Sequence, residues 1–146
     1  MLGSVLPDTK RDHGDQPTIL VVDDQRSIRT LIHTVLSAAG YAILEASSGE
    51  SAVALAEDPT TPIDLVLIDV MLPVLNGIEA VERMETFRPG LKVLFMSGHT
   101  REAIALQGIF TRDVEFLHKP FTLDDLRRRV RATLMANPPS HPAEPA

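Results

Sequence analysis

LVLIDVMLPVLNG, Leu65 to Gly77, is the stretch whose reading decides the fold. Four apolar residues run without a break to Ile68, a carboxylate stands at Asp69, and a proline and an Asn-Gly pair follow. A short apolar run bounded by turn signals reads as a strand covered on both faces, as in a parallel sheet. Burying an unpaired carboxylate costs several kcal/mol, so Asp69 needs partners, or a place at a rim that a ligand can reach.

Working outward, TILVVD (18 to 23) and LKVLFMS (91 to 97) repeat the apolar run, whereas YAILEA (41 to 46) and VEFLH (114 to 118) each carry a glutamate, Glu45 and Glu115. Charges within a strand are tolerated at a sheet edge, which places these two outside and the other three inside. Amphipathic segments fill the gaps. Ile28, Leu31, Ile32, Val35 and Leu36 keep helical spacing, and Gly40 ends that helix. An alanine-rich helix is expected from Glu50 to Glu57, and Asn76 can cap another that turns Ile78 and Val81 inward. A helix over 100 to 110 is interrupted by Gly108. Thr122 and Asp125 form a capping-box pair opening a last helix with Leu123, Leu126, Val130 and Leu134 as its stripe. Five strands alternating with five helices make an α/β fold. Right-handed crossovers, helices on both faces and those two edges are met most simply by a flavodoxin-like parallel sheet of order 2-1-3-4-5.

The chain has 146 residues, enough for one domain with a sizeable core. Residues 18 to 136 are expected to fold, with residues 1 to 17 and the proline-rich 137 to 146 as flexible tails. With 14 Lys plus Arg against 20 Asp plus Glu, the net charge of -6 argues against nonspecific nucleic-acid binding. There is no cysteine, so disulfides, thiolate catalysis and zinc-thiolate sites are excluded. No signal-peptide core and no membrane-length apolar run is present, so a cytoplasmic location is expected.

In open α/β sheets ligands bind beyond the carboxyl ends of the strands, where strand order reverses. Those ends carry Asp23-Asp24, Asp69, Ser97 and Lys119-Pro120. Each has an ordinary explanation: Asp23-Asp24 or Ser97 as helix caps, Asp69 as a loop charge, Lys119 as an ion-pair partner. Their coincidence on one rim has none. Three clustered carboxylates repel by roughly 4 kcal/mol per close pair at an effective dielectric of about 20. A hard divalent cation offsets this, and three oxygens with water and phosphate suit Mg²⁺ better than Ca²⁺ or zinc.

DD at 23 and 24, IDVMLPVLNG around Asp69, MSG at 96 to 98 and KPF at 119 to 121, in that order, resemble the receiver domain of bacterial two-component response regulators. The resemblance covers residues 18 to 135 and implies a CheY-like domain. Asp69 would be the phosphoacceptor, taking a phosphoryl group from a phosphohistidine on a sensor histidine kinase or histidine phosphotransfer protein. It further implies Mg²⁺ held by Asp24, Asp69 and the backbone carbonyl of Met71, with Asp23 acting largely through water. Lys119 and the Ser97 hydroxyl would bind phosphoryl oxygens, Pro73 and Gly77 would shape the loop, and the Lys119-Pro120 bond would be cis. Ser97 and Phe116 would be the switch pair, and a monomer or a phosphorylation-linked dimer is implied. With only residues 137 to 146 after the last helix, the chain reads as a single-domain regulator or as a receiver excised from a longer protein such as a hybrid kinase. Such a domain catalyses its own phosphorylation and dephosphorylation and is not an enzyme in the usual sense.

Three rivals compete. A small Mg²⁺-dependent phosphatase of the haloacid dehalogenase kind would need a second acid two residues after the nucleophile, and position 71 is Met. A flavodoxin-like nucleotide or flavin binder would need a phosphate cradle after strand one, where this chain has DDQRS. A receiver that binds partners without phosphorylation keeps the same residues. His99 is placed to influence water access to the phosphate, while His33, His118 and the Arg127-Arg128-Arg129 and Arg131 cluster read as solvated surface.

Overall fold

The computed structural model describes residues 16 to 98 and 115 to 136. The elements are β1 (Thr18–Val22), α1 (Arg26–Ala38), β2 (Ala42–Ala46), α2 (Gly49–Glu57), β3 (Leu65–Asp69), α3 (Gly77–Phe87), β4 (Val93–Ser97), β5 (Glu115–His118) and α4 (Leu123–Met135). The sheet is parallel and five-stranded, in the order β2-β1-β3-β4-β5. Four helices lie among the described residues; the helix expected over 100 to 110, both tails up to residue 15 and from 137, and His99 lie outside them.

The apolar runs are continuous because the sheet separates two cores. Leu20, Val22, Val66, Ile68 and Phe95 pack on the side of α2 and α3. Ile19, Val21, Leu65, Leu67, Leu94 and Met96 pack against Ile32 and Leu36 of α1 and Leu126 and Val130 of α4. Every residue of β1 and β3 is buried, while Glu45 and Glu115 are exposed on the two outer strands. Register places Val21 beside Leu67 and Val22 beside Ile68, so Asp23 and Asp69 leave adjacent strands at the same height. Asp69 in turn pairs with Met96, and Ser97 with His118.

Helix ends follow local chemistry. α1 closes with Tyr41 N–H donating to the Leu36 carbonyl, Gly40 N–H to Ser37, and Gly40 at φ 102°, a left-handed turn that glycine adopts without steric cost. Capping boxes open α2 (Ser48 with Ser51), α3 (Asn76 with Glu79) and α4 (Thr122 with Asp125). Two stripe positions differ from expectation. Leu31 and Leu123 are about two-fifths exposed, at 41% and 40%. The sheet-facing sector of α1 is narrower than its apolar stripe and takes Ile32 and Leu36, while α4 buries Thr133, seven residues beyond Leu126, and leaves Leu123 in its first turn outside.

Candidate functional site

α1 has Gln25 at its N-cap with no side-chain capping bond, so neither Asp23 nor Asp24 caps the helix. Asp23 is fully buried and instead turns both oxygens inward: Oδ1 accepts from Gln25 N–H at 2.8 Å and Oδ2 from Lys119 Nζ at 2.8 Å. Asp69, 7% exposed, accepts from the same ammonium through Oδ2 at 2.7 Å and from Met71 N–H through Oδ1 at 2.8 Å. Lys119 therefore bridges the two carboxylates, and its own N–H donates to the Ser97 carbonyl at 2.8 Å, which ties the end of β5 to the end of β4. Asp24 is exposed and makes no side-chain hydrogen bond or ion pair with the described residues, yet Asp23, Asp24 and Asp69 bring one carboxylate oxygen each within 4.8 Å of one another.

Charge is unbalanced here. Three carboxylates against one ammonium leave a formal surplus of two negative charges (-3 + 1). Burial pushes the Asp23 carboxyl above its ordinary value, more than the hydrogen bonds from Lys119 and Gln25 pull it down. For Lys119, burial acts to lower the ammonium, but its bonds to Asp23 and Asp69 outweigh it and hold the group above its usual range. A set of hard oxygen donors with a deficit of positive charge fits a small divalent cation such as Mg²⁺ and suits no soft metal.

The loop after Asp69 is shaped by close packing. A Cβ on Gly77 would stand 2.2 Å from the Asp69 carbonyl oxygen, and one on Gly49 would stand 2.6 Å from that of Leu75, so only glycine lets α2 and α3 approach this backbone. Gly77 N–H donates to the Val70 carbonyl at 2.8 Å. Between them Leu75 N–H closes a three-residue turn onto the Pro73 carbonyl, with Val74 at φ 69° and 93% exposed. A β-branched residue in that region stores strain of about 1–3 kcal/mol beside the site. Met71 next to it is also partly exposed. The Lys119-Pro120 bond is cis, as the resemblance implies.

Asp23, Asp24, Asp69, Met71 and Lys119 are thus brought together, and Ser97 is fully buried at the adjoining strand end. Phe116 is partly buried beside Phe95, against the core on the α2 and α3 side. Two residues close to the site escaped the sequence: Arg29, whose Nη1 donates to the Asp23 carbonyl at 2.8 Å, and Glu45, which accepts from Arg29 Nε at 3.1 Å. The only trace was a basic residue one turn into α1 and an acid near the end of an edge strand.

The response regulator receiver domain model matches residues 19–131. The chain is 31% identical over 118 residues to the response regulator receiver protein CpdR of Brucella abortus, covering 81% of this chain and 97% of that one. It is 36% identical to the alkaline phosphatase synthesis transcriptional regulatory protein PhoP of Bacillus subtilis over 80% of this chain and 48% of the relative. It spans about half the length of three of the transcriptional regulators it matches and a quarter of a fourth. The receiver domain of the hybrid histidine kinase CckA superposes with a TM-score of 0.67 at 31% identity, over 81% of this chain and 99% of that domain.

Proposed function

The chain belongs to the response regulator receiver domain family, and from that premise we propose that it accepts a phosphoryl group on Asp69 in a Mg²⁺-dependent reaction. As a receiver domain of two-component systems it takes the group from a histidine kinase or histidine phosphotransfer protein and either relays it onward or changes how it binds a partner. One observation carries the reading: Lys119 bridges Asp23 and Asp69 while Asp24, within 4.8 Å, has no counter-charge of its own among the described residues.

A carboxylate oxygen of Asp69 attacks phosphorus; the O–P bond forms, the N–P bond to the donor imidazole breaks, and the imidazole leaves with that electron pair and takes up a proton. The Met71 N–H at 2.8 Å orients the nucleophile through Oδ1. Asp23, Asp24, Asp69 and the Met71 carbonyl would hold Mg²⁺, which supplies the positive charge that relieves carboxylate repulsion and draws charge from the phosphoryl oxygens. Lys119 turns from its two carboxylates toward a phosphoryl oxygen, and the Ser97 hydroxyl donates to another. Because Ser97 and Lys119 are joined through the backbone, movement of one strand end carries to the other, and Phe116 turns inward as Ser97 advances. The reaction is confined to this chain's own carboxylate, so the protein is a self-phosphorylating receiver and not an enzyme with a separate substrate. Residues 18 to 136 form this unit, acting in the cytoplasm as a monomer or as a dimer made on phosphorylation.

Incubation with acetyl phosphate and Mg²⁺, read by intact mass, should add one phosphate, which Asp69→Asn or EDTA abolishes. An unmodified wild-type protein would overturn the reading in favour of a module that binds its partner without phosphorylation.

A further inference from the structure

We propose that Arg29 is a positioning residue for the acidic centre, fixing the peptide that joins Asp23 to Asp24 so that both carboxylates face one cation. The inference rests on the Mg²⁺-binding role proposed above and extends it to a residue outside the carboxylate cluster.

Asp23 is held by its side chain, through Lys119 and Gln25 N–H. Asp24 is not: its carboxylate has no partner among the described residues, so its direction is set by the backbone alone. That backbone is tied at two points. Asp23 N–H donates to the Ala46 carbonyl at the end of β2, and the Asp23 carbonyl, half of the Asp23–Asp24 peptide plane, accepts from Arg29 Nη1 at 2.8 Å. Arg29 cannot swing freely, because its Nε donates to Glu45 Oε1 at 3.1 Å and its side chain is only 15% exposed. Glu45 is in turn held by His33 Nδ1 at its other oxygen, 2.7 Å away. Both ties of the Asp23 backbone therefore end on neighbouring residues of β2, Ala46 directly and Glu45 through the guanidinium.

Geometry, not charge, is the means. The Glu45 carboxylate neutralises the Arg29 guanidinium, so the pair adds little net field at the cluster. A planar fork reaches two acceptors in fixed directions; an ammonium on a flexible stem does not. Arg29→Lys keeps the charge and removes the fork, which separates the two accounts.

The test titrates Mg²⁺ into full-length wild type, Arg29→Lys and Arg29→Ala, following amide chemical shifts, with urea unfolding in EDTA as the stability control. Groups that orient metal ligands from outside typically change affinity about tenfold or more, and a weakening of that order is expected in both variants. Phosphorylation by acetyl phosphate should be slow in the variants at low Mg²⁺ and recover when Mg²⁺ is raised. An unchanged Mg²⁺ constant in Arg29→Lys, or slow phosphorylation that extra Mg²⁺ does not restore, would reduce Arg29 to a tie between α1 and β2 and overturn the inference while leaving the receiver role intact. A wild type that binds no Mg²⁺ would overturn both.

Discussion

At the carboxyl ends of the strands one ammonium serves two carboxylates and a third carboxylate is left over; at the opposite end of the sheet three charges, those of Arg88, Lys92 and Asp64, are tied to backbone. There Arg88 donates to the carbonyls of Ala56, Asp58 and Thr61, closing the loop that leaves α2. Lys92 donates to the carbonyl of Leu134 near the end of α4, and the Asp64 carboxylate accepts from Thr18 N–H at the start of β1. Backbone partners cannot leave, so these charges are structural. A surplus of like charge with a shared counter-ion is the opposite arrangement, one that a further bound cation would relieve, and it lies at the end where phosphoryl transfer is proposed.

Removing Lys119 tests the crowded end hardest. Lys119→Ala should destabilise the metal-free protein by about 3 kcal/mol in urea, because it leaves the buried Asp23 facing Asp69 with no counter-charge. A loss below about 1 kcal/mol would mean that the two carboxylates are screened by solvent despite their burial. Arg88→Ala should cost less, about 2 kcal/mol, by taking this donor from the partly buried carbonyls of Ala56 and Thr61 and from the exposed carbonyl of Asp58, and should leave the phosphate gain on Asp69 unchanged. If phosphorylation fell as steeply as stability, the two ends would not be separable. The smallest effect changes sign with metal. Asp24→Asn should raise stability in EDTA by about 1 kcal/mol by relieving repulsion and lower it, relative to wild type, in millimolar Mg²⁺. The same sign in both buffers would break the contrast. Asp69→Asn is a poorer probe of repulsion, since it also gives up an ion pair with Lys119.

Much of this contrast could be read from the sequence because it depends on where strands end. Continuous apolar runs marked β1, β3 and β4 as interior, Glu45 and Glu115 marked the edges, and each candidate side chain at the rim stands at a strand end or within two residues of it. Contacts that depend on rotation or on backbone partners left no mark. Leu31 has the spacing of a core residue, but helical spacing does not say how much of a stripe a flat sheet can cover. Arg29 meets a carbonyl six residues back and a carboxylate sixteen residues ahead, on another element, and a carbonyl has no sequence identity to search for. Val74 occupies a left-handed conformation that propensity assigns to glycine or asparagine, and only the packing of the loop around Gly77 and Gly49 places it there.

The two-core sheet also acts as a ruler. Because β1 and β3 send alternate residues to opposite cores, sliding either strand by one residue would move its apolar side chains into the wrong compartment on both faces at once. Fractional adjustment is likewise refused by the hydrogen-bond ladder, so strand offset changes only in steps of about 3.3 Å. The height of Asp23 against Asp69 is therefore a digital quantity, set by the whole length of two strands and indifferent to small disturbances in the loops above them.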